Sequence, residues 1–193
     1  MKNKNKECLN FLAETGLLKR VKRSGWWVVG IKDPESVAEH SFRCAVIGYL
    51  LAKLEKADAY AVTMMCLFND LHEARINDFH KMAARYINYK QAEDRAYQEQ
   101  IEFLPGAIKK ELAGWRAAYT SQKTKEGIIA RDADILECLV QAKEYSEQGF
   151  AQAKLFLKKA PRFLKTKSAR NLFRQLKGWN TSRWWQRVSE FKR

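Results

Sequence analysis

Glycine and proline are scarce in this chain, 9 and 3 of 193 residues. With 46% hydrophobic residues, that scarcity excludes a disordered or low-complexity chain and points to a helical globular protein. A run of about 18 apolar residues is absent, so no membrane span is expected. The opening MKNKNKECLNFLAETG has neither the apolar h-region nor the small-residue cleavage site of a signal peptide, and a cytoplasmic protein is the expectation. The cysteines Cys8, Cys44, Cys66 and Cys138 lack CxxC spacing, which argues against a zinc cluster or a disulfide framework and for buried thiols. Acid is nearly absent from one end: residues 150–193 hold 13 Lys+Arg and a single acid, Glu190.

What is present is a helical pattern over most of the length. The 193 residues suit one domain with a sizeable core, and apolar residues recur at helical spacing with no convincing period-two run. The pattern predicts helices at about 6–15, 36–56, 58–74, 90–103, 106–118, 124–147 and 167–177, with a short one in WNTSRWWQRV. Ser36 followed by Glu39 forms a candidate capping box for the second of these. The stretch LKRVKRSGWWVVGIKDPES, with Gly25, Gly30 and Pro34, is expected to be irregular. The charge is uneven: both ends are basic, and a mildly acidic centre holds the clustered carboxylates.

Chemistry concentrates in VAEHS (37–41), FNDLHEARIND (68–78), ARDADILE (130–137) and RSGWW (23–27). Metal-assisted hydrolysis needs a few imidazole and carboxylate ligands, an open position for water, and a neighbouring carboxylate to orient that water. His40, Asp70 and Asp134 can supply an imidazole and two carboxylates from separate helices, and Glu73 lies one turn from Asp70. Taken singly, these residues fit blander roles: His40 a core histidine, Asp70 a helix-end cap, Asp132 and Asp134 exposed carboxylates. The apolar neighbours Ile128, Ile129, Ile135 and Leu136 suggest instead a largely buried segment, where a carboxylate is costly unless paired or metal-bound.

In order and spacing, PESVAEHSFR, FNDLHEARIND and ARDADILECLVQAKEY resemble the HD-domain phosphohydrolases, and most closely the small branch that includes 5′-deoxynucleotidases. The resemblance covers residues from about 9 to 150. It implies an all-α HD-domain bundle, placed at 1–150; the charge pattern makes 151–193 a basic helical extension on or next to the same domain. It further implies one divalent metal ion (Mn, Co, Zn, Ni or Mg), with His40, Asn69, Asp70 and Asp134 as the ligand set, the Asn69 carboxamide suiting a harder ion such as Mg or Mn; Asp132 is the alternative to Asp134. Glu73 matches the catalytic glutamate and Asp78 an acid that supports it. Trp26 and Arg23 match a substrate-contacting loop, Arg23 as the phosphate partner, since its planar fork makes two charged hydrogen bonds. The implied activity is hydrolysis of (deoxy)nucleoside 5′-monophosphates, and a homodimer is implied as well.

Two departures stand out. The family's HD pair reads Asn69-Asp70, which places a carboxamide where the fourth ligand would be an imidazole. An amide oxygen is a weak ligand for Zn, Co, Ni and Mn-type ions. Losing a directly bound imidazole should cost at least as much as losing the group behind one, ~10–100-fold. His72 cannot substitute if the helix is continuous, because two residues beyond Asp70 is about 200° around it. After Trp115, where relatives often show acids, this chain has Arg116, Ala117 and Ala118. Weakened activity is therefore one expectation. The alternative is a catalytically impaired module that binds nucleotide or nucleic acid through its basic surface, with Trp179, Trp184 and Trp185 offering stacking faces.

Overall fold

A computed structural model describes residues 4–189. The last four residues of the basic extension, Glu190 among them, lie outside the described range. Among the described residues there is no strand, only helices and one isolated bridge between Lys22 and Ser36. The helices are α1 (Lys4–Thr15), α2 (Val37–Glu55), α3 (Ala59–Phe68), α4 (Glu73–Ile76), α5 (Tyr89–Ile101), α6 (Gly106–Ser121), α7 (Lys125–Glu147), α8 (Lys154–Lys159), α9 (Lys167–Leu176) and α10 (Arg183–Val188). No described helix is long and apolar enough to cross a membrane.

The capping box fixes where α2 begins. Ser36 accepts from the Glu39 backbone N–H, and the Glu39 carboxylate accepts from the Ser36 N–H in return. Two of the orphan donors at the helix start are thereby satisfied. The irregular stretch before it winds into two 3₁₀ segments, Gly16–Lys19 and Ser24–Val29. Gly30 closes the second at φ 86°, a left-handed conformation that glycine adopts without a Cβ clash.

The main core lies between α2, α3 and α7, built from Cys44, Leu51, Val62, Met65, Ile129, Ala133, Leu136 and Leu139. Cys44 and Cys66 are buried there as free thiols. The segment after residue 150 shares this core, because Leu164, Ala169, Phe173 and Leu176 pack into it. Beyond α9 the side chains turn outward: Trp184 is 66% exposed and Trp185 47%.

One predicted helix is broken. The pattern suggested a continuous run over 58–74, but α3 stops at Phe68 and α4 starts at Glu73. Between them the bonds tighten to the i→i+3 type, from Glu73 N–H to the Asp70 carbonyl and from Ala74 N–H to the Leu71 carbonyl. Side chains from other helices take carbonyls in this turn. Arg116 Nη1 donates to the Asn69 carbonyl at 3.0 Å, and Gln100 Nε2 to the Leu71 carbonyl at 2.8 Å.

Gly127, in the first turn of α7, faces the backbone of α6 at Ala118. A Cβ there would collide with the backbone carbonyl oxygen of Ala118, which cannot rotate aside as a side-chain end would. Gly127→Ala is expected to destabilise the fold by ~1–3 kcal/mol, read as a lowered urea midpoint with an unchanged m value.

Candidate active site

The His40 ring is 1% exposed and is engaged on both nitrogens. Nδ1 is hydrogen-bonded to the Glu137 carboxylate from α7. Nε2 faces Asp134 Oδ1 at 3.3 Å and Asp70 Oδ2 at 3.5 Å. Each of those aspartates has its other oxygen already engaged. Asp134 Oδ2 accepts from Tyr119 Oη at 2.7 Å and from Arg131. Asp70 Oδ1 accepts from Asn69 Nδ2 at 2.6 Å. One free oxygen per carboxylate is therefore aimed at the same imidazole nitrogen. Arg43 donates from Nε to Glu137 Oε1 at 2.9 Å and so steadies the group behind the ring.

The charges follow from this packing. Burial opposes ionisation of Asp134, but Arg131 and then His40 hold its carboxyl well below the usual range. Burial and Arg23 work against a charge on His40, yet Glu137 and Asp134 hold the ring well above the ordinary imidazole value. Burial, with Glu137 beside it, pushes Glu35 up to about 7.

Glu73, at the start of α4, is buried, and its Oε2 has no protein hydrogen-bond partner. Burial, then Asp70 and Asp78, hold its carboxyl well above the usual carboxylate range, which makes its conjugate base a stronger proton acceptor than a solvated glutamate. Asp78 ties the turn after α4 to the loop before α2. Its carboxylate accepts from the Ser24 backbone N–H, and its carbonyl from Ser24 Oγ at 2.9 Å. Arg23 Nη1 lies 3.8 Å from Asp78 Oδ1, and its charge also acts on Glu73, Asp70 and Asp134.

His40, Asp70, Asp134, Glu73, Asp78 and Arg23 thus belong to one cluster. Trp26 does not join it. Its ring is 2% exposed, packs against Tyr145 and Phe156, and gives its indole N–H to Glu35 at 3.0 Å. It is a core residue under the site, and Trp27, 52% exposed, is the member of the pair that meets solvent. Asn69 is adjacent but turned away: Arg116 Nη1 donates to its Oδ1 at 3.2 Å, and its Nδ2 is spent on Asp70. Asp132 is excluded, because its buried carboxylate accepts from the backbone N–H groups of Lys165 and Thr166 and from Thr166 Oγ1. His72 points elsewhere, towards Glu93 at 3.6 Å, although the helix break removes the continuous-helix reasoning that predicted this.

Residues not singled out by the sequence are Glu35, Arg43, Glu137, Arg131 and Tyr119. Glu137 carried a usable signal, since it lies one helical turn from Asp134 on the same face.

The donor set fits a divalent cation. Imidazole Nε2 and two carboxylate oxygens converge, Nδ1 is backed by a carboxylate as in many metal-binding histidines, and Glu73 Oε2 stands buried and unpartnered nearby. Glu35, His40 and Glu137 also lie close enough to share an ion on the Nδ1 side. There, however, Arg43 already pairs with Glu137 and Trp26 donates to Glu35, so a cation would have to displace both. The Nε2 side is the better site.

Comparison with known proteins identifies the family. The model of the HD domain family matches residues 15–177. The chain is similar to 5′-deoxynucleotidase HDDC2 of Dictyostelium discoideum, 34% identical over 149 residues, covering 72% of this chain and 78% of that protein. The human protein of the same name is 30% identical over 142 residues, covering 72% and 68%. Among solved structures, a conserved hypothetical protein from Pyrococcus furiosus superposes with a TM-score of 0.72 at 30% identity, covering 89% of this chain and 99% of that one.

The two aspartates of ARDAD separate cleanly by experiment. Asp132→Ala is expected to cost ~1–3 kcal/mol of stability by orphaning buried donors, with divalent-metal binding retained. Asp134→Ala is expected to abolish Mn²⁺ binding in calorimetry. Glu137→Gln should weaken that binding by ~10–100-fold, because the partner that orients His40 loses its charge.

Proposed function

The chain belongs to the HD-domain family, and from that premise we propose that it hydrolyses deoxynucleoside 5′-monophosphates to nucleoside and phosphate. The observation that carries this reading is the convergence of one free oxygen each from Asp70 and Asp134 on His40 Nε2, with Glu73 beside them. His40, Asp70 and Asp134 would hold one divalent ion. The chemistry supplied by such an ion when bound is Lewis acidity towards water and phosphoryl oxygens.

The remaining work falls to side chains of this chain. Glu73 removes a proton from the attacking water as the new P–O bond forms and the bond to the 5′-oxygen breaks; that proton is then available to the departing oxygen. Asp78 anchors the loop carrying Ser24 and Arg23 to the end of α4, which keeps Arg23 over the cluster. The Arg23 guanidinium offers charge and a donor fork to the incoming phosphate. Burial of Glu73 and His40 strengthens every charge interaction at the reacting centre.

A second reading rests on the exposed tryptophans. Trp179, Trp184 and Trp185 stand at the surface of a segment that also carries Arg174, Lys177 and Arg183, a pairing of stacking faces and cations that suits single-stranded nucleic acid.

The primary reading is tested by phosphate release from a panel of deoxynucleoside and nucleoside 5′-monophosphates with Mn²⁺, Co²⁺ or Mg²⁺. Release is expected with at least one ion, and none with any ion would reject it. Glu73→Gln should lower kcat by ~10²–10⁴-fold while leaving metal binding in place. The second reading predicts salt-sensitive binding of a labelled single-stranded oligonucleotide, reduced by replacing Trp184 and Trp185 together with alanine.

A further inference from the structure

Asn69 stands beside the candidate ligand Asp70, and the fold brings Arg116 of α6 into contact with it. Arg116 Nη1 donates to the Asn69 backbone carbonyl at 3.0 Å and to its Oδ1 at 3.2 Å. The guanidinium is itself fixed. Nη2 lies 3.4 Å from Glu93 Oε2 and 3.3 Å from Asp94 Oδ1, and the group sits over the Tyr97 ring at 5.4 Å. The Arg116 side chain is only 10% exposed.

The chemistry leaves the Asn69 carboxamide one orientation. A guanidinium can only donate, so the amide oxygen must face Arg116. An ionised carboxylate can only accept, so the amide nitrogen must face Asp70. Were Asn69 Oδ1 to bind an ion, it would have to leave Arg116, and Asp70 would lose the donor that occupies its Oδ1. With that donor in place, Asp70 presents Oδ2 alone towards His40 Nε2.

We propose that Arg116 is a positioning residue: by holding both oxygens of Asn69 it turns the amide N–H onto Asp70, so that Asn69 orients a metal-binding carboxylate rather than binding the ion. The carboxamide next to Asp70 is thereby a support for its neighbour. The ion is then held by His40, Asp70 and Asp134 alone. This rests on the reading that those three residues bind a divalent ion.

The test is direct Mn²⁺ titration, with free Mn²⁺ read by electron paramagnetic resonance and folding checked by thermal melting. Arg116→Ala is expected to weaken binding by about 10-fold or more, as loss of an orienting group does. Arg116→Lys keeps the single charged nitrogen that Asn69 requires and is expected to restore much of the affinity. Tighter or unchanged binding in Arg116→Ala would overturn the proposal, since freeing a ligand oxygen should help rather than harm. If Arg116→Ala does not fold, Asn69→Asp decides the matter. It keeps an acceptor for Arg116 but has no N–H for Asp70, so weaker binding is expected, and tighter binding overturns the proposal. Failure of every protein, wild type included, to bind Mn²⁺ would overturn both this proposal and the metal reading beneath it; the other adverse outcomes overturn this proposal alone.

Discussion

The buried imidazole of His40 is the constraint on which the rest of the site depends. Its two nitrogens face opposite ways, and α7 supplies a partner to each: Glu137 to Nδ1 and Asp134 to Nε2. Those two acids are three residues apart on one helix face, so a single helix brackets the ring from both sides. A slip of α7 against α2 would strand a buried carboxylate, which costs far more than a displaced leucine. The apolar core between α2, α3 and α7 and the polar clamp at its end therefore specify the same register.

Charge balance explains why such a cluster suits catalysis better than stability. Six carboxyl groups (Glu35, Asp70, Glu73, Asp78, Asp134 and Glu137) gather near three guanidiniums (Arg23, Arg43 and Arg131) and His40. Burial and like-charge neighbours raise the carboxyls of Glu35 and Glu73, so each takes up a proton more readily than a solvated glutamate. Asp70 and Asp134 are the pair facing Nε2. A well-packed apolar plug would serve stability at least as well as this arrangement. A cation and a phosphate need the charges.

Much of this was legible in the sequence, and the failures have a common cause. Local signals read well: the Ser36/Glu39 box starts α2 as its spacing implies, and most helix ends fall close to their pattern. His40, Asp70 and Asp134 converge as the resemblance to the HD family implied. Errors arose where a distant side chain decides a local outcome. The break after Phe68 is invisible to periodicity, because its donors Gln100 and Arg116 come from α5 and α6. The choice of Asp134 over Asp132 in ARDAD was not among those errors: Asp132 is taken by the Lys165–Thr166 backbone, while Asp134 faces His40. Trp26 and Trp27 cannot be ranked from WW alone, since burial of one is set by Tyr145 and Phe156.

The same dependence gives α5 and α6 a place in the chemistry that their own residues do not advertise. Neither helix contributes a group to the cluster around His40 Nε2 except Tyr119, through its bond to Asp134. Yet the turn that carries Asp70 into the cluster and begins α4 at Glu73 is shaped by donors from both. A carbonyl inside a regular helix is taken by the N–H four residues on; here the Asn69 carbonyl accepts from Arg116, and the Leu71 carbonyl accepts from Gln100 and, three residues on, from the Ala74 N–H. This tighter turn is what sets Glu73 relative to Asp70, and Asp70 relative to His40. The functional unit is accordingly two layers deep. A scaffold of α2 and α7 holds the imidazole and two of its carboxylates, while α5 and α6 hold in shape the one segment that helical propensity would have straightened.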